Sequence, residues 1–124
     1  MFVFGFEKLA VWKQARILTV LIYDLTEKFP DKEKFGLTNQ MRRASVSIGA
    51  NIAEGSSRFS AKEQAHFYSI AYGILMELMS HSFIALDLKY LNDEVFEKTK
   101  NIVQQLSLKI NNLRNAAFAK SEKK

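Results

Sequence analysis

The sequence predicts an all-α protein: an antiparallel, up-down-up-down four-helix bundle forming one domain over residues 1–124. Three observations predict it. Apolar residues recur at alternating steps of three and four along most of the chain, the spacing of one buried stripe on a helix. Only five Gly and one Pro occur in 124 residues, too few for a fold built on many tight turns. The stretches between the periodic segments are short, and short links between long helices make neighbours antiparallel.

The first helix is expected over about 7–28. Val11, Ala15, Leu18, Ile22, Leu25 and Phe29 step by 4, 3, 4, 3, 4, the seam of a left-handed bundle. Pro30 lacks an N–H and restricts Phe29, so the helix ends before it. A second helix over about 37–54 carries the seam Leu37, Met41, Ala44, Ile48 and Ile52. Gly55 stands where a left-handed residue would close it. Gly49 falls inside, at a cost of ~1 kcal/mol relative to Ala. With Ser45 and Ala53 it makes a row of small residues that would let another backbone come close.

The third helix, over about 60–90, opens on the capping box Ser60-Ala61-Lys62-Glu63, in which hydroxyl and carboxylate satisfy two orphan amides. Its expected seam is Phe67, Ala71, Ile74, Leu78, Ala85 and Leu88, with His81 in one slot. A second stripe, Tyr68, Tyr72, Leu75, Met79, Phe83 and Leu86, makes the apolar face wider than one seam requires. Either a central helix touches extra neighbours, or the stripe is a subunit interface, where Tyr, Phe and Met are enriched. On the second reading Tyr68, Tyr72, Leu75, Met79 and Phe83 are the interface residues. The fourth helix, over about 93–119, starts with Asp93, Glu94 and Glu97 at its positive end. Thr99, Ile102, Leu106, Ile110 and Leu113 form its seam.

Composition narrows the function classes. The chain is 48% hydrophobic and 25% charged, ordinary values for a globular protein. It has no cysteine, which removes disulfides, thiolate zinc sites and a Cys nucleophile. The apolar start is broken by Glu7, Lys8, Lys13 and Arg16 and does not read as a signal peptide. No run of about 18 uncharged apolar residues occurs, so no membrane span is expected and a cytoplasmic location is. Glu63-Gln-Ala-His66 is one Glu-x-x-His pair. Di-iron bundles use two such pairs plus two further Glu, and the other candidate here, Glu77 with His81, has spacing four. No metal and no cofactor are expected. There is no Gly-x-Ser-x-Gly elbow and no phosphate-cradling Gly loop, so the chain is not expected to be an enzyme.

Charge is informative through its distribution. The net charge is +5. From Lys109 onward, Lys109, Arg114, Lys120, Lys123 and Lys124 face Glu122 alone. Such an end is either a solvated tail or an attractor of phosphate. Arg42, Arg43, Arg58, Lys62, Lys109, Arg114 and Lys120 are the candidate nucleic-acid contacts. Gln40, Arg43, Ser47, Asn51 and Glu54 step by 3, 4, 4, 3 along the second helix and make a polar stripe there. Arg43 and Glu54, three turns apart, cannot touch; Glu77 is a candidate partner for Arg43. The structural reading of Gln40, Arg43, Ser47, Asn51, Glu54 and Glu77 is a hydrogen-bonded network that fixes helix register or subunit contacts.

The segments FEKLAVWKQA, FGLTNQMRRASVSIGANIAEGSSR and the downstream Glu63, Phe67, Ala71, Gly73 and Glu77 carry a resemblance. The chain resembles the bacterial four-helix-bundle proteins encoded within intervening sequences of 23S rRNA genes, sometimes labelled ribosomal proteins. The resemblance covers about residues 4–115, with Gly49 where many relatives carry Pro. It implies a bundle that assembles with itself into a ring-like homopentamer. It also implies a similarity to the accessory protein of diversity-generating retroelements, a basic pentamer that engages nucleic acid. It supplies no catalytic residues. Two functions follow as expectations: an oligomeric RNA-associated protein, or a protein-interaction scaffold.

Overall fold

The structure is a computed structural model and describes residues 1–122. A 3₁₀ turn, Gly5–Lys8, leads into α1 (Ala10–Thr26), and a second 3₁₀ turn, Asp31–Glu33, leads into α2 (Leu37–Ser56); α3 (Ala61–Asp87) and α4 (Asp93–Glu122) complete the chain. There is no strand among the described residues.

Three of the helices start on an identifiable side-chain signal. Ser60 accepts a hydrogen bond from the Glu63 N–H at 3.1 Å, and its hydroxyl donates to the Glu63 carboxylate at 3.2 Å. The cap is therefore reciprocal, but its second half is side chain to side chain rather than to the Ser60 amide. Asn92 caps α4 by accepting from the Val95 N–H at 2.8 Å. Gly36 has no side chain to offer α2, so Glu33 reaches forward and accepts from the Leu37 N–H at 3.2 Å.

The contacts between helices pair rising residue numbers on one with falling numbers on the next. Thr19 and Arg42 tie α1 to α2 through Thr19 to the Ser45 carbonyl and Arg42 to Thr26. Gly55 lies against Phe67 and Tyr68, while Arg43 and Ala44 share a hollow with Ile74 and Glu77. Arg114 bonds Ser69, whereas Phe96 meets Phe83. Consecutive helices thus run in opposite directions, and a bond from Gln14 to Gln105 joins α1 to α4.

The core follows the α1 and α2 seams closely. Leu18, Ile22, Met41, Ile48, Ile52, Leu75, Leu78, Leu106 and Ile110 are fully buried, each worth roughly 1.5–3 kcal/mol in transfer from water. In α4 the inward residues are Phe96, Thr99, Val103, Leu106, Ile110 and Ala117, so Val103 takes the slot expected of Ile102.

The interface stripe expected on α3 needs correction. Tyr68 and Leu75 are buried inside the chain, and Tyr72 and Met79 pack against the same core. Of the five proposed interface residues only Phe83 is exposed, and it meets Phe96 edge-on at 4.9 Å. The reason is position: α3 lies between α2 and α4, so its buried arc, Ala65, Tyr68, Ala71, Leu75, Leu78, Ser82 and Ala85, runs between the two stripes. Charge at Leu75 would therefore disrupt the fold itself rather than separate subunits.

Helix ends also differ from expectation. Leu9 is extended, so α1 begins after it. Gly55 is inside α2 with no positive φ. What requires glycine there is proximity, because a Cβ would lie 2.8 Å from the Tyr68 ring and 2.9 Å from the Phe67 Cβ. The left-handed residue closes α3 instead: Lys89 has φ 65°, and the Tyr90 N–H bonds the Ala85 carbonyl at 2.9 Å.

Candidate nucleic-acid interface

The alternation of helix direction gathers three separated stretches at one end of the bundle. These are residues 1–16, the α2–α3 connection with its flanking turns (50–66), and the end of α4 (108–122). Proximity is direct: Phe4 and Phe6 line a hollow with Ala50, Ala53, Glu54, Ser56 and Ser57, and Ala117 packs with Ala65 and Tyr68. This end holds eight cations, Lys8, Lys13, Arg16, Arg58, Lys62, Lys109, Arg114 and Lys120, against Glu7, Glu54, Glu63 and Glu122. The rest of the described chain holds eight cations against nine acids. The protein therefore has a basic pole, and Lys123 and Lys124 lie outside the described residues.

Within that pole, arginine and lysine do different work. Arg58 pairs with Glu54 at 3.4 Å and Glu63 at 3.9 Å and lies 4.7 Å over the Phe67 ring. Arg114 donates to Ser69 at 2.6 Å and covers Phe118 at 4.5 Å. Both guanidiniums fasten one element to another or cover a ring, which suits their planar fork. Lys8, Lys13, Lys62, Lys109 and Lys120 are exposed, and among the described residues none of them is ion-paired. With Arg16, which is also exposed and outside these ion pairs, their charge is free for a ligand.

The two remaining candidates lie elsewhere. Arg42 donates to Thr26 at 2.9 Å, to the Tyr23 carbonyl at 3.3 Å and to Glu27 at 3.1 Å, and it stacks 4.7 Å over the Tyr23 ring. It is an α1–α2 latch, its guanidinium already engaged by the fold on several sides. Arg43 is exposed on α2, away from the pole, beside a hollow with Gln40, Ser47, Ile74 and Glu77.

The polar stripe on α2 is not one network. Asn51 donates to the Ser47 carbonyl at 2.8 Å and hydroxyl at 3.1 Å. Glu54 pairs with Arg58, and Glu77 sits 3.4 Å from His81. The candidate Arg43–Glu77 pairing is not formed. The stripe breaks into local pairs, with Gln40, Arg43 and Glu54 exposed and Ser47 and Asn51 half-buried, and ion pairs at such exposed positions contribute little.

What sequence reasoning missed is the aromatic content of the pole. Phe2 and Phe4 are 77% and 58% exposed, and with Phe6 and Trp12 they form a run of rings with centroid separations of 4.9, 5.8 and 4.9 Å. The alternation Phe2, Phe4, Phe6 is the signal that could have found it. Among the described residues no three His, Asp or Glu side chains come together in a way that could hold a metal ion.

The 23S rRNA-intervening sequence protein family model matches residues 7–112. The chain belongs to this family. The matched stretch contains the α2–α3 part of the pole and Lys109, while Phe2, Phe4, Phe6, Arg114 and Lys120 lie outside it. No curated protein matches the chain.

Proposed function

We propose that this protein is a non-enzymatic homo-oligomer, a pentamer, that binds RNA through phosphate contacts at its basic pole. The observation that supports this reading most is the excess of cations over acids at one end, eight against four, in a chain whose remainder is close to neutral. The family's description, which names a 23S rRNA-intervening sequence, adds weight to RNA as the polyanion. Contacts to phosphate position a protein on RNA without reading sequence, and the chain has no RNP motif or Gly-x-x-Gly loop that would add base reading.

Self-association is supported by the outer face of α3. Its most apolar 18-residue window is 28% buried within the chain. Met76, Phe83 and Ile84 are exposed there, and Leu88 is exposed just past its end. Gly73, on the same helix, has nothing within 4 Å of a built Cβ, so nothing in the chain itself explains a glycine that costs ~1 kcal/mol. A second subunit's close approach would explain it. Rings multiply weak phosphate contacts by the number of subunits.

Light scattering and RNA binding test the two halves. The expected mass is five times 14.2 kDa, with retention of a generic structured RNA at low salt. A monomer contradicts the assembly. An oligomer that binds no RNA at low salt contradicts the RNA reading and leaves a protein-interaction scaffold built on the α3 face.

A further inference from the structure

The rings at the pole are arranged and held in a way that phosphate binding alone does not require. Phe4 is fixed through its backbone: its N–H donates to the Glu7 carboxylate at 2.7 Å, and its carbonyl accepts from the Glu7 N–H at 3.1 Å. Phe6 packs edge-on against Trp12 at 4.9 Å, and Arg16 lies 5.6 Å over the Trp12 ring. Phe4 and Phe6 are nearly parallel, with an interplanar angle of 14°. Gly5 between them has nothing within 4 Å of a built Cβ, which leaves their side of the hollow open. Two apolar rings, Phe2 and Phe4, thus stand exposed in a defined conformation, although burying them would be favourable by the usual transfer argument.

We propose that the Phe2–Phe4–Phe6 run and the hollow beside it form a stacking platform for unpaired bases, so that the pole's ligand is single-stranded RNA. The chemistry of the hollow fits a base better than a phosphate. Phe4 and Phe6 line it together with Ala50 and Ala53, and its polar residues are Ser56, Ser57 and Glu54. No cation lines it. Glu54, whose Oε1 pairs with Arg58 at 3.4 Å, can accept from an exocyclic amino group of a base through its other carboxylate oxygen. Lys8 and Lys13, exposed on the neighbouring turn and helix, supply the charge complementarity for the backbone beside the bases. Exposed rings next to a cationic track are how proteins hold single strands without reading sequence.

This inference rests on the RNA reading of the pole, and the test separates the two. The probes are an oligoadenylate RNA of about 12 nucleotides, within the span single-strand sites cover, and an RNA duplex of the same length, titrated against the full chain. The expected result is preference for the single strand. Phe2→Ala with Phe4→Ala should weaken single-strand binding roughly fivefold or more and leave duplex binding unchanged. Lys62→Ala with Lys109→Ala and Lys120→Ala should weaken both probes alike. Phe4→Tyr, which keeps a ring, should retain the preference. Equal binding of both probes, untouched by the Phe substitutions, overturns the platform and leaves phosphate binding standing. No binding of either probe overturns both. A Phe double variant that changes subunit number assigns the rings to self-association and overturns the platform as well.

Discussion

The pole and the rest of the described chain carry eight cations each and differ in their acids, four against nine. At the end formed by the α1–α2 and α3–α4 connections, charge goes into closing loops. Arg42 joins Thr26, Tyr23 and Glu27. Glu33 accepts from the Leu37 N–H and from the Tyr90 hydroxyl at 2.8 Å, and Tyr90 lies against Phe29. At the opposite pole five exposed lysines have no carboxylate partner among the described residues. The difference teaches that the count of cations says little about binding. What matters is how many carboxylates share the same end, since no lysine at either end is ion-paired among the described residues.

That comparison breaks most visibly under charge reversal. Lys62, Lys109 and Lys120 to Glu at the pole, and Lys28, Lys32 and Lys34 to Glu at the other end, change net charge equally. The pole set is expected to weaken RNA binding roughly tenfold or more, and the loop set less than about twofold. Equal weakening by the two sets would mean that only overall charge matters. Next in size is the stability contrast between a used and an unused cation. Arg42→Ala should cost about 1–2 kcal/mol in denaturant unfolding, since it removes a charged donor shared by Thr26, the Tyr23 carbonyl and Glu27. Lys62→Ala should stay within about 0.5 kcal/mol.

A smaller effect is expected at Lys89, a non-glycine residue at positive φ. Lys89→Gly should stabilise the fold by about 1 kcal/mol in the same unfolding measurement, by relieving the left-handed conformation at the helix end. The smallest effect concerns pH. The Leu37 N–H and the Tyr90 hydroxyl hold Glu33 below the usual carboxylate range, and the hydrogen bond to Glu33, followed by burial, pushes Tyr90 up. Lowered for the acid, raised for the phenol, these shifts favour the fold between the two titrations. The Glu33 part is complete above its unfolded pKa of about 4.3 and is lost as pH falls through the depressed value. The Tyr90 part is complete below about 10 and is lost as pH rises through the elevated one. Glu33→Gln should flatten the acid side of a thermal melting series, and an unchanged profile would assign that acid sensitivity to other groups.

Much of this is legible in the chain. Steps of three and four place the α1 and α2 seams, and Ser60 with Glu63 places the start of α3. The α3 face is harder, because two stripes on one helix read alike whether the second partner is α4 or another subunit. Only the three-dimensional arrangement assigns Tyr68 and Leu75 to the chain's own core. Gly55 escapes a sequence reading for a similar reason. A glycine near a helix end suggests a left-handed cap, and the crowding by Phe67 and Tyr68 that requires it comes from the next helix. Gly49 faces α1, but Ala15 and Trp12 are side chains at an ordinary 3.8 Å from a built Cβ, so the close backbone approach that its small-residue row suggests is absent there. The pole is half legible: the C-terminal lysines stand out, while Lys8, Lys13 and the phenylalanines join them only once opposite ends of the chain are folded together.

The central claim is that the pole binds RNA through its unpaired lysines, and the salt dependence of binding tests it most directly. Affinity for a generic structured RNA should be measured from low to moderate salt for the wild type and for the Lys62, Lys109 and Lys120 to Ala variant. The wild-type logarithm of affinity should fall steeply and linearly with the logarithm of salt. The variant's slope should be shallower by roughly 0.7–0.9 for each phosphate that its missing lysines no longer neutralise. Identical slopes for the two proteins would contradict the account.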